Sequence, residues 1–98
     1  MLEPTSEFHA MARRLCQDVD AFGRTEEEFY AWIFGDVTSS NASNLAAFLD
    51  KVLDPSRSSA DVAAVWNATS NDVLFKRASD IKAFLKEARR QLTSKFGV

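Results

Sequence analysis

Few side chains in this chain are of a type that does chemistry. His9 is the only histidine and Cys16 the only cysteine among 98 residues. A histidine-based metal site, a two-histidine catalytic pair and an internal disulfide are therefore excluded. For general acid–base work His9 would need a positioned nucleophile or acid partner, and no spacing in the sequence names one. Cys16 follows Leu15 on an apolar helical stripe, where a thiol is ordinarily buried. Asp18 and Asp20 nearby disfavour its thiolate. Asp18-Val19-Asp20 lacks the other ligands of a calcium loop and its central glycine. The three glycines all fall at helix ends, so no loop cradles a phosphate. The sequence points away from an enzyme, and no metal or cofactor is expected.

What stands out instead is carboxylate. Residues 16–36 hold Asp18, Asp20, Glu26, Glu27, Glu28 and Asp36 against a single Arg24, interleaved with aromatic residues. Ten acids face three bases over residues 15–72, whereas residues 73–98 carry seven bases against Asp80 and Glu87. The net charge of −2 thus conceals a polarised chain, which suits a charged partner at one end.

The helix dipole separates these acids by cause. Glu26, Glu27 and Glu28 follow the Thr25 cap, where a negative charge gains about 0.3–1 kcal/mol. Asp18 and Asp20 fall in the last turn of a predicted helix, and Asp50 near the end of another, where the dipole opposes them. Asp36 and Asp54 have turn or cap roles open to them. Acids placed against the dipole point to a binding face, with Tyr30, Phe34 or Trp66 as aromatic anchors. A merely solvated surface that keeps the chain soluble is the other reading of the same residues.

The elements that position these groups are helical by spacing. Phe8, Met11, Leu15, Val19 and Phe22 predict a first helix over residues 6–21, stopped by Gly23. Thr25 and Glu28 form a capping-box pattern for a second helix with Phe29, Trp32 and Ile33 inward, ended by Gly35. Ser39, Ser40 and Asn41 are cap candidates for a third helix bearing Leu45, Phe48, Leu49, Val52 and Leu53, closed by Asp54-Pro55. After Ser58 and Ser59 a fourth helix carries Val62, Val65 and Trp66. Val73, Leu74 and Phe75 fit a short extended piece or a helical turn. Ser79 is the expected cap of the last helix, with Ile81, Phe84, Leu85, Ala88, Leu92 and Phe96. The expectation is all-α: one compact domain over residues 1–98, a bundle of about five helices with short loops.

Composition agrees: 46% of residues are hydrophobic and eight are Phe, enough for a packed core. No run approaches a membrane span and no signal-like segment precedes one, so a cytoplasmic protein is expected, with no membrane partner. The bases of the last helix (Lys82, Lys86, Arg89, Arg90) match its dipole and are interrupted by Asp80 and Glu87, so nucleic acid is not the expected partner.

Several segments resemble one family, the small immunity proteins of contact-dependent growth inhibition. They are Leu15-Cys-Gln-Asp18-Val-Asp20, Gly23, Thr25-Glu-Glu-Glu28, Leu49-Asp50-Lys-Val-Leu53, the short helix at Ser59–Asn67, and Asp80-Ile-Lys-Ala-Phe84-Leu85 followed by Arg89 and Leu92. The chain departs from the pattern at Leu15-Cys16, where the family has aromatic and His residues, and at Val19, where an aromatic is common. The resemblance implies a cytoplasmic monomer that forms a heterodimer with the C-terminal domain of a cognate toxin, often a nuclease with a basic groove. On that reading Asp18, Asp20, Glu26, Glu27 and Asp36 are toxin-binding, with Tyr30 as anchor. A helical adaptor for another protein, or a small helical nucleic-acid binder using the bases of residues 76–95, are the alternatives.

Overall fold

The computed structural model describes residues 3–14, 25–69 and 77–98. Among these residues five helices follow the apolar spacing: α1 (Ser6–Arg14), α2 (Glu26–Ile33), α3 (Ala42–Val52), α4 (Ser59–Asn67) and α5 (Ala78–Phe96). No strand occurs among the described residues, and the all-α expectation holds. The predicted first helix is seen as α1. Its continuation, with Cys16, Asp18, Asp20 and Gly23, lies outside the described residues, as do Val73, Leu74 and Phe75.

Each helix start has its own chemistry. Thr5 Oγ1 accepts from the Phe8 N–H at 3.3 Å, and Thr25 Oγ1 from the Glu28 N–H at 3.1 Å. Ser58 and Asp61 form a reciprocal capping box, 3.1 Å one way and 3.4 Å the other. At α3 the cap residue is Asn41, but its side chain turns outward from the helix: Asn41 Oδ1 accepts from the Thr38 N–H at 2.7 Å. The last helix corrects the sequence reading. Arg77 is its cap position and makes no side-chain capping bond, while Ser79 is already inside the first turn.

The ends are equally local in origin. Asp54 Oδ1 accepts from both the N–H and the hydroxyl of Ser56, at 2.8 and 2.6 Å, folding the chain around Pro55 after α3. Arg57 Nε then donates to the Lys51 carbonyl at 2.9 Å, reinforcing the backbone bond that carbonyl accepts from the Asp54 N–H at that helix end. Gly97 closes α5 with φ 71°, a left-handed conformation in which any other L-residue is strained.

The core is one apolar cluster to which all five helices contribute. α5 packs along α4 and against α3, while α1 packs on α2 and α3. Within the cluster a chain of aromatic rings visits every helix. Phe48 meets Phe8 at 4.9 Å between centroids, Phe8 meets Trp66 edge-on at 5.9 Å, and Trp66 meets Phe84 at 5.6 Å. Phe84 then lies nearly parallel to Tyr30 at 6.3 Å. Such pairs add about 0.5–1.5 kcal/mol each beyond their buried area. The radius of gyration, 12.5 Å, is that of a compact chain of this length. No helix among the described residues is long and apolar enough to cross a membrane.

Phe8→Ala removes the ring between Phe48 and Trp66 and should cost about 3–5 kcal/mol. Ser58→Ala removes only half of the α4 capping box and should cost about 1 kcal/mol. Urea denaturation at constant m-value reads both, and near-equal losses would contradict this ranking of core over cap.

Candidate interaction surface

The residues expected to bind a partner fall into three groups in the structure. Asp18 and Asp20 lie outside the described residues. Glu26, Glu27 and Asp36 are exposed. The three aromatic anchors are not on the surface: Tyr30, Phe34 and Trp66 are only 5%, 3% and 0% exposed. For Tyr30 the cause is the rotation of α2. Its inward stripe runs through Tyr30, Ile33 and Phe34 rather than Phe29, Trp32 and Ile33, so Phe29 and Trp32 are the residues left partly open. Both rotations satisfy the three-to-four spacing of apolar residues, which is why the pattern alone does not select between them.

Arg14, at the end of α1, organises one end of the surface. Its guanidinium holds Asp36 in a two-pronged pair, Nε to Oδ2 at 3.1 Å and Nη2 to Oδ1 at 2.9 Å. The same guanidinium lies 4.7 Å from the centroid of the Trp32 ring, a cation–π arrangement. Trp32 Nε1 in turn donates to the Arg14 carbonyl at 3.3 Å. Gly35 leaves room for this group, since a Cβ there would approach the guanidinium carbon to 2.7 Å. The Arg14 hydrogen bonds hold the Asp36 carboxyl below its ordinary range and push the guanidinium's own pKa upward. An exposed pair contributes about 0.2–1 kcal/mol, and the forked geometry favours the upper part of that range.

Asp50 gains a structural reason as well. Sequence reading left this acid with no local partner, yet Arg89 of α5 reaches it at 2.8 Å through Nε and 3.4 Å through Nη2. Arg89 Nη1 also donates to Thr93 Oγ1 at 2.8 Å and to the Val98 carbonyl at 3.1 Å. Asp36 and Asp50 thus tie helices together, and their position against the helix dipole is offset by cations from elsewhere in the fold.

The acids of the first turn of α2 are placed differently. Glu26 and Glu27 line a groove of about 460 Å³ whose other side is Arg90, Gln91, Ser94 and Lys95 of α5. Glu87 bonds Arg90 Nη2 at 2.6 Å and Gln91 Nε2 at 2.9 Å, and Arg90 principally holds its carboxyl below the usual range. Glu26 is close enough to influence both Glu87 and Arg90, so carboxylates of two helices lie near one guanidinium. Tyr30, one turn after Glu26, is pushed up to about 12, first by burial and then by the charges of Glu87 and Glu26, with Arg90 opposing. Sequence reading missed Arg14, Glu87 and Arg90 as parts of this surface. The three-residue spacing of Glu87 and Arg90 was a readable signal, whereas Arg14 and Asp36 are 22 positions apart.

No group of three or more His, Cys, Asp and Glu among the described residues could hold a metal ion. This surface can present charge, with Glu26 and Glu27 as carboxylates that no ion pair engages among the described residues. No known family model, curated protein or solved structure matches the chain.

The depressed carboxyls make stability depend on acid pH. Asp36 and Glu87 ordinarily titrate near 3.8 and 4.5. With the folded values lowered, their stabilisation is complete above those values and is lost as pH falls through the folded ones. Asp36→Asn should therefore narrow the difference in melting temperature between neutral pH and about pH 2. A variant with the full wild-type acid loss would show that the Arg14 pair does not act on the folded state.

Proposed function

We propose that this chain is an immunity protein of the contact-dependent growth inhibition type, which binds a cognate toxin domain and blocks its basic substrate groove. The observation that carries the reading is the first turn of α2. It presents Glu26, Glu27 and Glu28 at the surface, beside the partly exposed Phe29 and on a helix packed into the core by Tyr30 and Ile33. The segments that resemble the family surround this turn in sequence. A row of fixed carboxylates offers a nuclease groove the charge it is built to receive from phosphate, so the protein occupies the groove in place of the nucleic acid.

On this reading the residues divide the labour. Glu26 and Glu27 steer the encounter, since exposed charges chiefly raise association rates. Asp18 and Asp20 belong to the same acidic segment and join them in this proposal. Asp36 is committed to Arg14 and acts mainly on stability. With Tyr30 in the core, Phe29 takes over as the apolar anchor at the acidic turn. The partner is a protein, the product is a heterodimer in the cytoplasm, and the chain itself performs no reaction and needs no cofactor.

Co-expression with the toxin domain encoded immediately upstream tests this reading through growth and co-purification. Wild type should restore growth and co-purify, while Glu26→Lys with Glu27→Lys should slow association at least tenfold at low salt and abolish protection with helix content unchanged. Toxicity that persists in the presence of folded wild type would discard it.

A further inference from the structure

The end of α5 folds back on its own last turn and, through one side chain, is joined to α3. Gly97 takes φ 71° while its N–H donates to the Thr93 carbonyl at 2.9 Å, so the following residue turns back over the helix. There the Val98 carbonyl accepts from the Thr93 hydroxyl at 2.7 Å and from Arg89 Nη1 at 3.1 Å. The Val98 side chain packs, partly buried, against the core cluster, as does Phe96. Arg89 Nη1 also donates to Thr93 Oγ1 at 2.8 Å. The other edge of the same guanidinium faces α3, with Nε and Nη2 at 2.8 and 3.4 Å from the two oxygens of Asp50. Asp50 and Val98 thus meet opposite sides of one planar group.

We propose that Gly97 and Val98 form a strap that Arg89 couples to α3, so that the tail and the Asp50 ion pair open and close together. The coupling comes from the shape of the guanidinium. Its fork is planar and rigid, so the edge that grips Asp50 fixes the direction of the edge that meets the tail. Thr93 is the second relay, because its hydroxyl accepts from Arg89 and passes its own proton to Val98, and hydrogen bonds in such a chain strengthen one another. Both ends of the device are easily disturbed. The tail lies beyond the last helical turn, where local opening costs least. The Asp50 side chain is 61% exposed, so salt screens its pair. Whatever draws on Asp50 therefore loosens the tail, and whatever draws on the tail loosens Asp50, since coupling between two sites is reciprocal. Release uncovers the edge of the core under Val98 and frees the Asp50 carboxylate on α3. The strap does not depend on what the protein binds.

Solvent exchange of the arginine Nε–H groups, read by ¹H–¹⁵N NMR on the full chain, tests the coupling from both ends. In wild type the Arg89 Nε–H should exchange more slowly than that of Arg13, which no ion pair engages among the described residues. Gly97→Ala disturbs the tail alone: a Cβ there meets no atom within 4 Å, so the strain is confined to the backbone. It should nonetheless speed Arg89 Nε–H exchange about fivefold, the equivalent of one hydrogen bond lost. Asp50→Asn acts from the other side and should speed exchange of the Gly97 N–H and shift the Thr93 and Val98 signals. Arg89→Lys keeps the charge but not the fork, and should release the tail as Asp50→Asn does. A cap that acts only locally would confine the effect of Gly97→Ala to residues 93–98 and leave the Arg89 Nε–H unchanged. That outcome, or a tail unmoved by Asp50→Asn, overturns the strap.

Discussion

The burial of Trp66 between Phe8 and Phe84 is the contact on which the rest of this structure depends. Phe8, Trp66 and Phe84 come from α1, α4 and α5, and the ring chain extends through Phe48 into α3 and through Tyr30 into α2. Each helix is too short to be stable alone in water, α5 excepted by length but not by composition. Helix formation and ring packing are therefore one event. The position of every surface carboxylate follows from how these rings interlock, because the rings set the rotation of the helices that carry them.

That dependence explains why the acidic residues divide as they do. A ring chain that pulls Tyr30 inward turns Glu26 toward α5, where it meets Glu87 and Arg90. The same rotation leaves Trp32 partly open, and Arg14 covers it with its guanidinium while gripping Asp36. Two devices thus lie at opposite ends of the eight-residue α2. At its C-terminal end one cation, one carboxylate, one indole and a glycine close the α1–α2 contact. At its N-terminal end Glu26 and Glu27 face Arg90 and Lys95 of α5 across a groove, and neither makes an ion pair among the described residues. The first end is closed by its own contacts, whereas the second leaves exposed carboxylates at the surface.

The acids also differ in what they contribute to stability. Asp36 and Asp50 each bridge to an arginine of another helix, so altering them disturbs packing. Glu27 makes no ion pair among the described residues and sits in a first turn where the helix dipole favours it. It can change with little effect on the fold, which is the property a surface needs if specificity is to vary while the scaffold stays constant.

By itself the sequence determined the helices: the spacing of Phe8 and Met11, of Leu45, Phe48, Leu49 and Val52, of Val62, Val65 and Trp66, and of Ile81, Leu85, Ala88 and Leu92 marks buried faces that the structure keeps. The Thr25 cap, the Asp54-Pro55 stop and the acids of the first turn of α2 were legible too, because their causes lie within four residues. Only the tertiary structure decided which of two neighbouring stripes of α2 turned inward, and hence that Tyr30 is core and Phe29 rim. It also decided that Asp36 and Asp50 answer to Arg14 and Arg89, 22 and 39 positions away. Spacing reports contacts made within a turn, whereas contacts between helices depend on rotation and register, which are set by how all the rings pack at once.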